Sequence, residues 1–355
     1  MIYKNQSGFS LIELMVGLVI SLLISITVAG SAQLLDIQKR VTTGTNVTLE
    51  NLATTYSQLA NDVRLAGFGT YKCGTTTFNL NGTLKTVTDM NSIYITKATA
   101  SGVNPNSDSV TLMFGESASG VSYTSISTIT SGSATSNNYL GQISGGNKMM
   151  IQNSTPPAIP SNCSVVAVTS VSSSTTSGVT TSTISATDNS NLMSSATFPS
   201  NSSVVTGLTD LKYVTISLDN NNNLAEVDAV SGNTTIISSN IVMFVVYYGL
   251  NDGTFVRADN SSGTDWSQSG LTTTNRDKVK SLRFFVIARA PVLNKPNPST
   301  GVCDATTKTL TSWDSNLKID LSKTTTDDWK CYRYQTGDFI IPLKNKVLFD
   351  FNHAS

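Results

Sequence analysis

Residues 8–30 read GFSLIELMVGLVISLLISITVAG. From Phe9 to Gly30 this is a run of 22 residues broken by one charge, Glu13. As a helix rising about 1.5 Å per residue it spans roughly 33 Å, enough to cross a hydrocarbon core of about 30 Å. An ordinary secretory signal ends in a small-residue cleavage site after its apolar run. This run instead continues through TVAGSAQLLDIQ into an amphipathic helical pattern, so it reads as retained. A carboxylate deep in a bilayer costs roughly 2.5–3.5 kcal/mol on insertion scales, so Glu13 calls for a partner. No Lys or Arg lies within the run. A free α-amino group from another subunit has the required charge. Lys4 precedes the run and Lys39 and Arg40 follow it, so counting positive residues leaves the orientation ambiguous.

Beyond the run the helical pattern persists. Leu49, Leu52, Tyr56, Leu59, Val63 and Ala66 recur at steps of three and four, which is one apolar stripe on a helix packing against a globular head. Glu50, Asp62 and Arg64 fall off that stripe. No proline occurs before Pro105, so nothing of that kind breaks a long N-terminal helix. Gly17, Gly30 and Gly44 each lower helix propensity by about 1 kcal/mol relative to Ala; they serve either bending or close helix packing. The helix is expected to stop near Gly67 and Gly69.

After residue 67 the pattern becomes that of strands. Ser109–Phe114, Tyr213–Leu218, Ile241–Tyr248 and Leu282–Ala288 are rich in β-branched and aromatic residues. Asp219-Asn220-Asn221-Asn222-Asn223 and Asn251-Asp252-Gly253 read as hairpin turns. The first lacks the Gly and Glu that a calcium loop requires. Ser117 to Thr209 carries two charges, Lys148 and Asp188, in 93 residues, and runs such as Ser172–Ser177 approach low complexity. Alternating Val, Ile and Tyr among Ser and Thr favours strands or a surface insertion there over disorder.

Composition narrows the function. Charged residues are 13% of the chain, and 23 basic residues balance 23 acidic ones. Nucleic acid is not an expected partner for so neutral a chain. The single histidine, His353, sits beside the C-terminus and excludes most His-dependent catalysis and metal binding. Asp327-Asp328 and Asp62 supply carboxylates without a pairing pattern, and no GxSxG elbow occurs. No enzyme, cofactor or metal is expected. Cys73, Cys163, Cys303 and Cys331 form no CxxC pair and fit disulfides made outside the cytosol. Cys303 with Cys331 would close a loop of about 29 residues, worth roughly 3–4 kcal/mol in the chain-entropy model. Cys73 would then pair with Cys163. Four cysteines allow three connectivities, and the sequence leaves them open.

Gly8-Phe9-Ser10-Leu11-Ile12-Glu13, followed by the apolar run, resembles the class III signal of type IV pilins and pseudopilins. The short leader Met1–Gly8, with Lys4, is of the same kind. The resemblance implies that a prepilin peptidase cuts after Gly8 and that the new N-terminal Phe9 is N-methylated. It implies that Glu13 pairs with the terminal amine of a neighbouring subunit. It also settles the orientation: leader in the cytoplasm, head in the periplasm.

Four internal stretches are similar to the PilW family of minor pilins. They are Leu59–Gly69 with Cys73 soon after, Val246–Gly253, Val279–Arg289, and Arg333–Asn345 with Lys344 where Arg is usual. The similarity covers the first and last thirds and leaves out residues 117–209. It implies an α+β, type IV pilin-like fold: leader 1–8, fibre-core and membrane helix 9–30, amphipathic helix 31–66, and a β-rich head 67–355 with an insertion at about 117–209. It implies a subunit that primes pilus assembly and stays near the tip. Other minor pilins, the major pilin and a large tip adhesin are its implied partners. The inner membrane is its place before assembly and the cell-surface pilus after it. The pilus itself would serve twitching motility, adhesion or DNA uptake. A type II secretion pseudopilin of the J-like kind shares the N-terminus and is the alternative. Adhesion through the Ser/Thr-rich stretch is a third reading and is compatible with the first.

Overall fold

The computed structural model describes residues 10–68, 73–80, 83–88, 93–98, 107–117, 124–137, 143–153, 161–187, 192–259, 263–267, 270–271, 273–294, 296, 300–307, 310–317, 319–323 and 328–344. Helix α1, Leu11–Leu65, is 55 residues long, about 80 Å at the usual rise. Ser10 caps it in an extended conformation, and the Ser10 N–H donates to Glu13 Oε2 at 3.1 Å. At the other end Ala66 leaves the helix, and Gly67 takes a left-handed φ of 79°, the conformation in which glycine is least strained. Gly69, the second expected stop, lies outside the described residues. The Gly67 N–H donates to the Met113 carbonyl at 2.9 Å, so the helix end is tied to a strand.

The strands, in chain order, begin with β1 Cys73–Leu80, β2 Thr83–Thr88, β3 Ile93–Thr96 and β4 Ser109–Ser117. Within the Ser/Thr-rich stretch follow β5 Thr124–Ile126, β6 Thr128–Thr130, β7 Ser133–Ser136, β8 Lys148–Asn153, β9 Ser161–Thr176 and β10 Val179–Thr187. Then come β11 Ser203–Leu218, β12 Leu224–Asp228, β13 Thr234–Ser238, β14 Ile241–Leu250 and β15 Phe255–Val256. A short helix, α2 Thr273–Lys278, precedes β16 Val279–Arg289 and β17 Tyr334–Pro342.

Two sheets result. The smaller runs β15-β14-β16-β17 and is antiparallel throughout. The larger has the path β13-β12-β11-β8-β9-β10-β7-β6. Strand β11 splices it: Ser203–Leu208 pairs with β8, and Val214–Leu218 pairs with β12. Strand β4 runs along β11 from Leu208 to Ile216. The parallel pair β1–β9 is an exception in an otherwise antiparallel arrangement. Both expected hairpins form. Asp219–Asn223 joins β11 to β12, with Asn222 at φ 60° and Asp219 Oδ1 accepting the Asn221 and Asn223 N–H groups at 2.8 Å each. Asn251–Gly253 joins β14 to β15.

The helix lies on one face of the small sheet. Leu52, Leu59, Ala60, Val63 and Ala66 meet Phe244, Val246, Tyr248, Leu282, Phe284, Val286 and Ile341 in one core. The larger sheet closes that core with Val110, Leu112, Phe114, Val214 and Ile216. Burying a side chain such as Leu59 or Val63 contributes roughly 1.5–3 kcal/mol. Two glycines set the approach. A Cβ on Gly44 would sit 3.3 Å from Ala290 Cβ, and one on Gly337 would sit 3.1 Å from Leu52 Cδ2. Gly44 is thus a packing glycine, whereas Gly17 and Gly30 face nothing within the chain. Asn51 and the β13–β14 turn add reciprocal bonds: Asn51 Nδ2 donates to the Ser239 carbonyl at 2.9 Å, and Ser238 Oγ donates to the Asn51 carbonyl at 3.3 Å.

The buried stripe of α1 departs from the expected one. It runs Thr48, Leu52, Thr55, Leu59, Asp62, Val63, Ala66; Leu49 and Tyr56 are exposed, although Tyr56 keeps a ring contact with Phe339 at 5.2 Å. The stripe is rotated because two threonines satisfy themselves. Thr48 Oγ1 donates to the Gly44 carbonyl at 2.6 Å, and Thr55 Oγ1 to the Asn51 carbonyl at 2.7 Å, so burial leaves neither hydroxyl unpaired. Asp62, expected off the stripe, is 3% exposed on it.

Strand β14 is buried along almost its whole length because both faces of the small sheet are covered. Away from α1, Val245, Tyr247, Phe285 and Ile287 are covered by the late segment carrying Leu310, Leu317, Leu321, Trp329 and Tyr332. A disulfide joins Cys303 to Cys331 across this cover, with Cα atoms 4.8 Å apart. Cys163 is also disulfide-bonded. Its strand lies beside β1, which begins at Cys73, a residue whose side chain lies outside the description.

Residues 117–209 contain strands β5 to β10 and the start of β11, joined by turns. They have a core of their own: Ile126, Ile129, Ile143, Met149, Ile151, Val166, Ile184, Met193, Phe198 and Val205. The near-repetitive run Ser172–Ser177 is the first half of a β9–β10 hairpin with hydroxyl pairs facing across it. Ser173 and Ser182 are 2.9 Å apart at Oγ, and Thr175 and Thr180 are 3.1 Å apart at Oγ1.

Candidate functional site

Of the residues singled out in the sequence at this end, Glu13 lies in the first turn of α1. Gly8 and Phe9 precede the described residues. Glu13 is exposed, and its carboxylate accepts the Ser10 N–H. A carboxylate offers about four acceptor positions, so this bond leaves Glu13 able to accept from a second, cationic donor.

Around Glu13 the helix has no partner within the chain. Leu11–Ala32 has a mean hydropathy of 2.5 and is unburied along its length. Leu11 is 75% exposed and Ile12 71%. So large an apolar surface is untenable in water and demands lipid or other helices. Its hydroxyls suit either setting. Ser21, Ser25, Thr27 and Ser31 donate to carbonyls three or four residues back, at 2.8–2.9 Å, and so expose no unpaired donor to hydrocarbon. The helix therefore has two halves: an unpartnered apolar half through about Ala32, and a half from Gly44 onward that is fixed to the sheets.

Residues 3–29 match the family model described as Prokaryotic N-terminal methylation motif. The motif indicates a type IV pilin or pseudopilin-like protein. No curated protein and no solved structure matches the chain. The motif implies processing by prepilin peptidase and assembly with other pilins. With the apolar helix it is consistent with an inner-membrane anchor before assembly. It points to a structural subunit rather than an enzyme.

The remaining candidates lie far from this end. Cys303, Asp328 and Cys331 bring sulfur and oxygen atoms within 4.8 Å of one another. The two sulfurs are bonded to each other, and Asp328 accepts the Lys330 N–H at 3.0 Å, so the group is a stapled turn. Asp327 lies outside the described residues, as does His353. A cavity of about 260 Å³ opens beside Phe78, Val165, Leu192 and Leu211. Its polar lining is Thr187 and Lys148, and Lys148 is paired with Asp210.

One polar cluster was not legible in the sequence. Asp108 is buried and accepts two bonds from Arg257 Nη2, at 2.7 and 2.9 Å, with further bonds from the Val246 and Ala98 N–H groups at 3.0 Å. Its own N–H donates to the Phe244 carbonyl at 2.7 Å. This carboxylate bridges the two sheets. An isolated aspartate before a strand carries no signal that an arginine far along the chain will close on it.

Proposed function

We propose that this chain is a minor pilin that primes type IV pilus assembly and stays at or near the pilus tip. The observation that carries the reading is an unpartnered apolar half-helix beginning in a prepilin-type methylation motif. In this reading residues 1–8 are the leader, prepilin peptidase cuts after Gly8, and Phe9 becomes N-methylated. The helix waits in the inner membrane with the head in the periplasm, then passes into the fibre. Glu13 accepts the terminal amine of a neighbouring subunit as the two apolar helices pack. In a low-dielectric fibre core an unpaired charge is costly, so this pairing selects register as well as position.

The minor-pilin assignment rests on the large head and on the PilW-like stretches. The segments Leu59–Gly69, Val246–Gly253, Val279–Arg289 and Arg333–Asn345 are far apart in sequence. They supply the end of α1 and strands β14, β16 and β17, which share one core. Residues 117–209, outside that similarity, would be an insertion carrying tip contacts. Other minor pilins, the major pilin and a tip adhesin are the proposed partners, with motility, adhesion or DNA uptake the supported activity.

A clean deletion, scored for sheared surface pili and for secreted exoproteins in the same cultures, tests this. The expected result is loss of pili with normal secretion. Loss of secretion with normal pili would assign the chain to a type II secretion pseudopilus instead.

A further inference from the structure

Where the last turns of α1 meet the larger sheet, a carboxyl sits among apolar side chains. Asp62 is 3% exposed between Leu59, Val63 and Ala66. Both its oxygens accept from the Gln58 amide one turn back, at 3.1 and 3.3 Å. The Gln58 side chain also lies near Glu226 on β12 and favours its ionised form. Glu226 shares its strand face with buried Leu224, by the two-residue alternation of a strand.

The charges facing this contact can be counted element by element. The helix brings Asp62, flanked by Gln58 and Asn61; Arg64 is exposed. Strand β12 brings Glu226, with Asp228 beyond it. Asp228 is held in the following turn by the Tyr213 and Val230 N–H groups and by Ser231. Strand β11 brings Lys212, and β4 presents its strand partner Phe114. Two carboxyls, Asp62 buried and Glu226 half-buried, therefore face one partly buried ammonium. A surplus buried charge is the arrangement that folded proteins avoid by keeping a proton.

We propose that Asp62 and Glu226 hold one proton between them while α1 is docked, and that losing it loosens the last turns of the helix from the sheet. The joint between helix and head is thus a pH-responsive latch, closed in acid. Burial first, and then the Glu226 charge, push the Asp62 carboxyl up to about 7, and burial raises Glu226 as well. The sign follows from linkage. A carboxyl whose pKa is higher docked than free favours docking most at low pH. That contribution declines from about pH 4, where the free carboxyl ionises, to about pH 7, and is flat above. The inference is independent of the pilus role proposed above, because it rests only on the helix–sheet contact.

The test uses the full chain in detergent micelles and amide hydrogen exchange of residues 58–66, corrected for the intrinsic effect of pH. From pH 5 to pH 8 protection should fall about tenfold or more in the wild type and less than about twofold in Asp62→Asn. Protection of β14 in the same samples reports that the fold is intact. The second measurement is the ¹³C titration of the Asp62 carboxyl in the wild type and in Glu226→Gln. A midpoint near 7 that drops in Glu226→Gln supports the latch. Equal pH dependence in wild type and Asp62→Asn, or an Asp62 midpoint in the ordinary carboxylate range, overturns it. A midpoint displaced downward by millimolar calcium would show a cation in place of the proton, and would also overturn it.

Discussion

Two of the head's cores are built on opposite plans. The core under α1 gathers residues from Leu52 to Leu343, so it closes only when the ends of the chain meet. Among the described residues, the core of the Ser/Thr-rich part runs from Ile126 to Val205, which is local by comparison. The first is bound by charged struts such as Asp108–Arg257. The second lies in a stretch with two charges and is laced by hydroxyl pairs between strands. An alternating pattern thus suffices to build a small self-contained core from polar, low-complexity sequence. The long-range core is tied across its distant segments by the Asp108–Arg257 ion pair. β11 is where the two meet, because one strand serves both.

The contrast breaks most readily at Asp108. Asp108→Ala leaves the partly buried Arg257 and the Val246 and Ala98 N–H groups without their carboxylate, and such losses cost about 3–5 kcal/mol. Chemical denaturation of the full chain should show this as a lower midpoint. Trp266, in the core under α1, should report it first. Phe198→Ala empties the local core instead, at a cost of about 3–4 kcal/mol. All three tryptophans, Trp266, Trp313 and Trp329, lie outside residues 117–209. Their emission should therefore keep its wild-type midpoint while circular dichroism shows an earlier, partial transition. A single transition seen equally by both probes would mean that the two cores are one cooperative unit.

Replacing Cys303 and Cys331 together by Ser should cost about 3 kcal/mol, because the two residues are separated by 28 positions. The effect belongs to the far face of the small sheet, so protease sensitivity should appear in residues 303–331 before anywhere else. The smallest expected effect is Asp338→Asn. Its bidentate pair with Arg283 is partly exposed, and such pairs contribute about 1 kcal/mol or less. That loss should shrink in high salt.

Much of this was legible in the sequence, for identifiable reasons. The prepilin-type start was read from residues 8–30 because its pattern is local, and the methylation-motif model matches residues 3–29. The strand positions around Tyr213, Ile241 and Leu282 followed from β-branched and aromatic density, and both hairpin turns from Asn, Asp and Gly. The buried face of α1 was misread by part of a turn. Thr48 and Thr55 look polar in a sequence, and their bonds to the helix's own carbonyls make them core residues. Asp62 was misread for a different reason: its burial comes from the docking of α1 against strands far along the chain, which adjacency in sequence does not associate with it. Residues 172–177 carried no sign that Ser173 and Thr175 would each find a hydroxyl across a hairpin, since that depends on strand register.

The identity of the mature N-terminus decides most directly whether this is a pilin-like assembly subunit. Mass spectrometry of the protein from membranes and from sheared fibres should find a chain beginning at Phe9, carrying one added methyl group, with residues 1–8 gone. A chain that keeps Met1, or one cut after the apolar run so that Glu13 is lost, would contradict that reading.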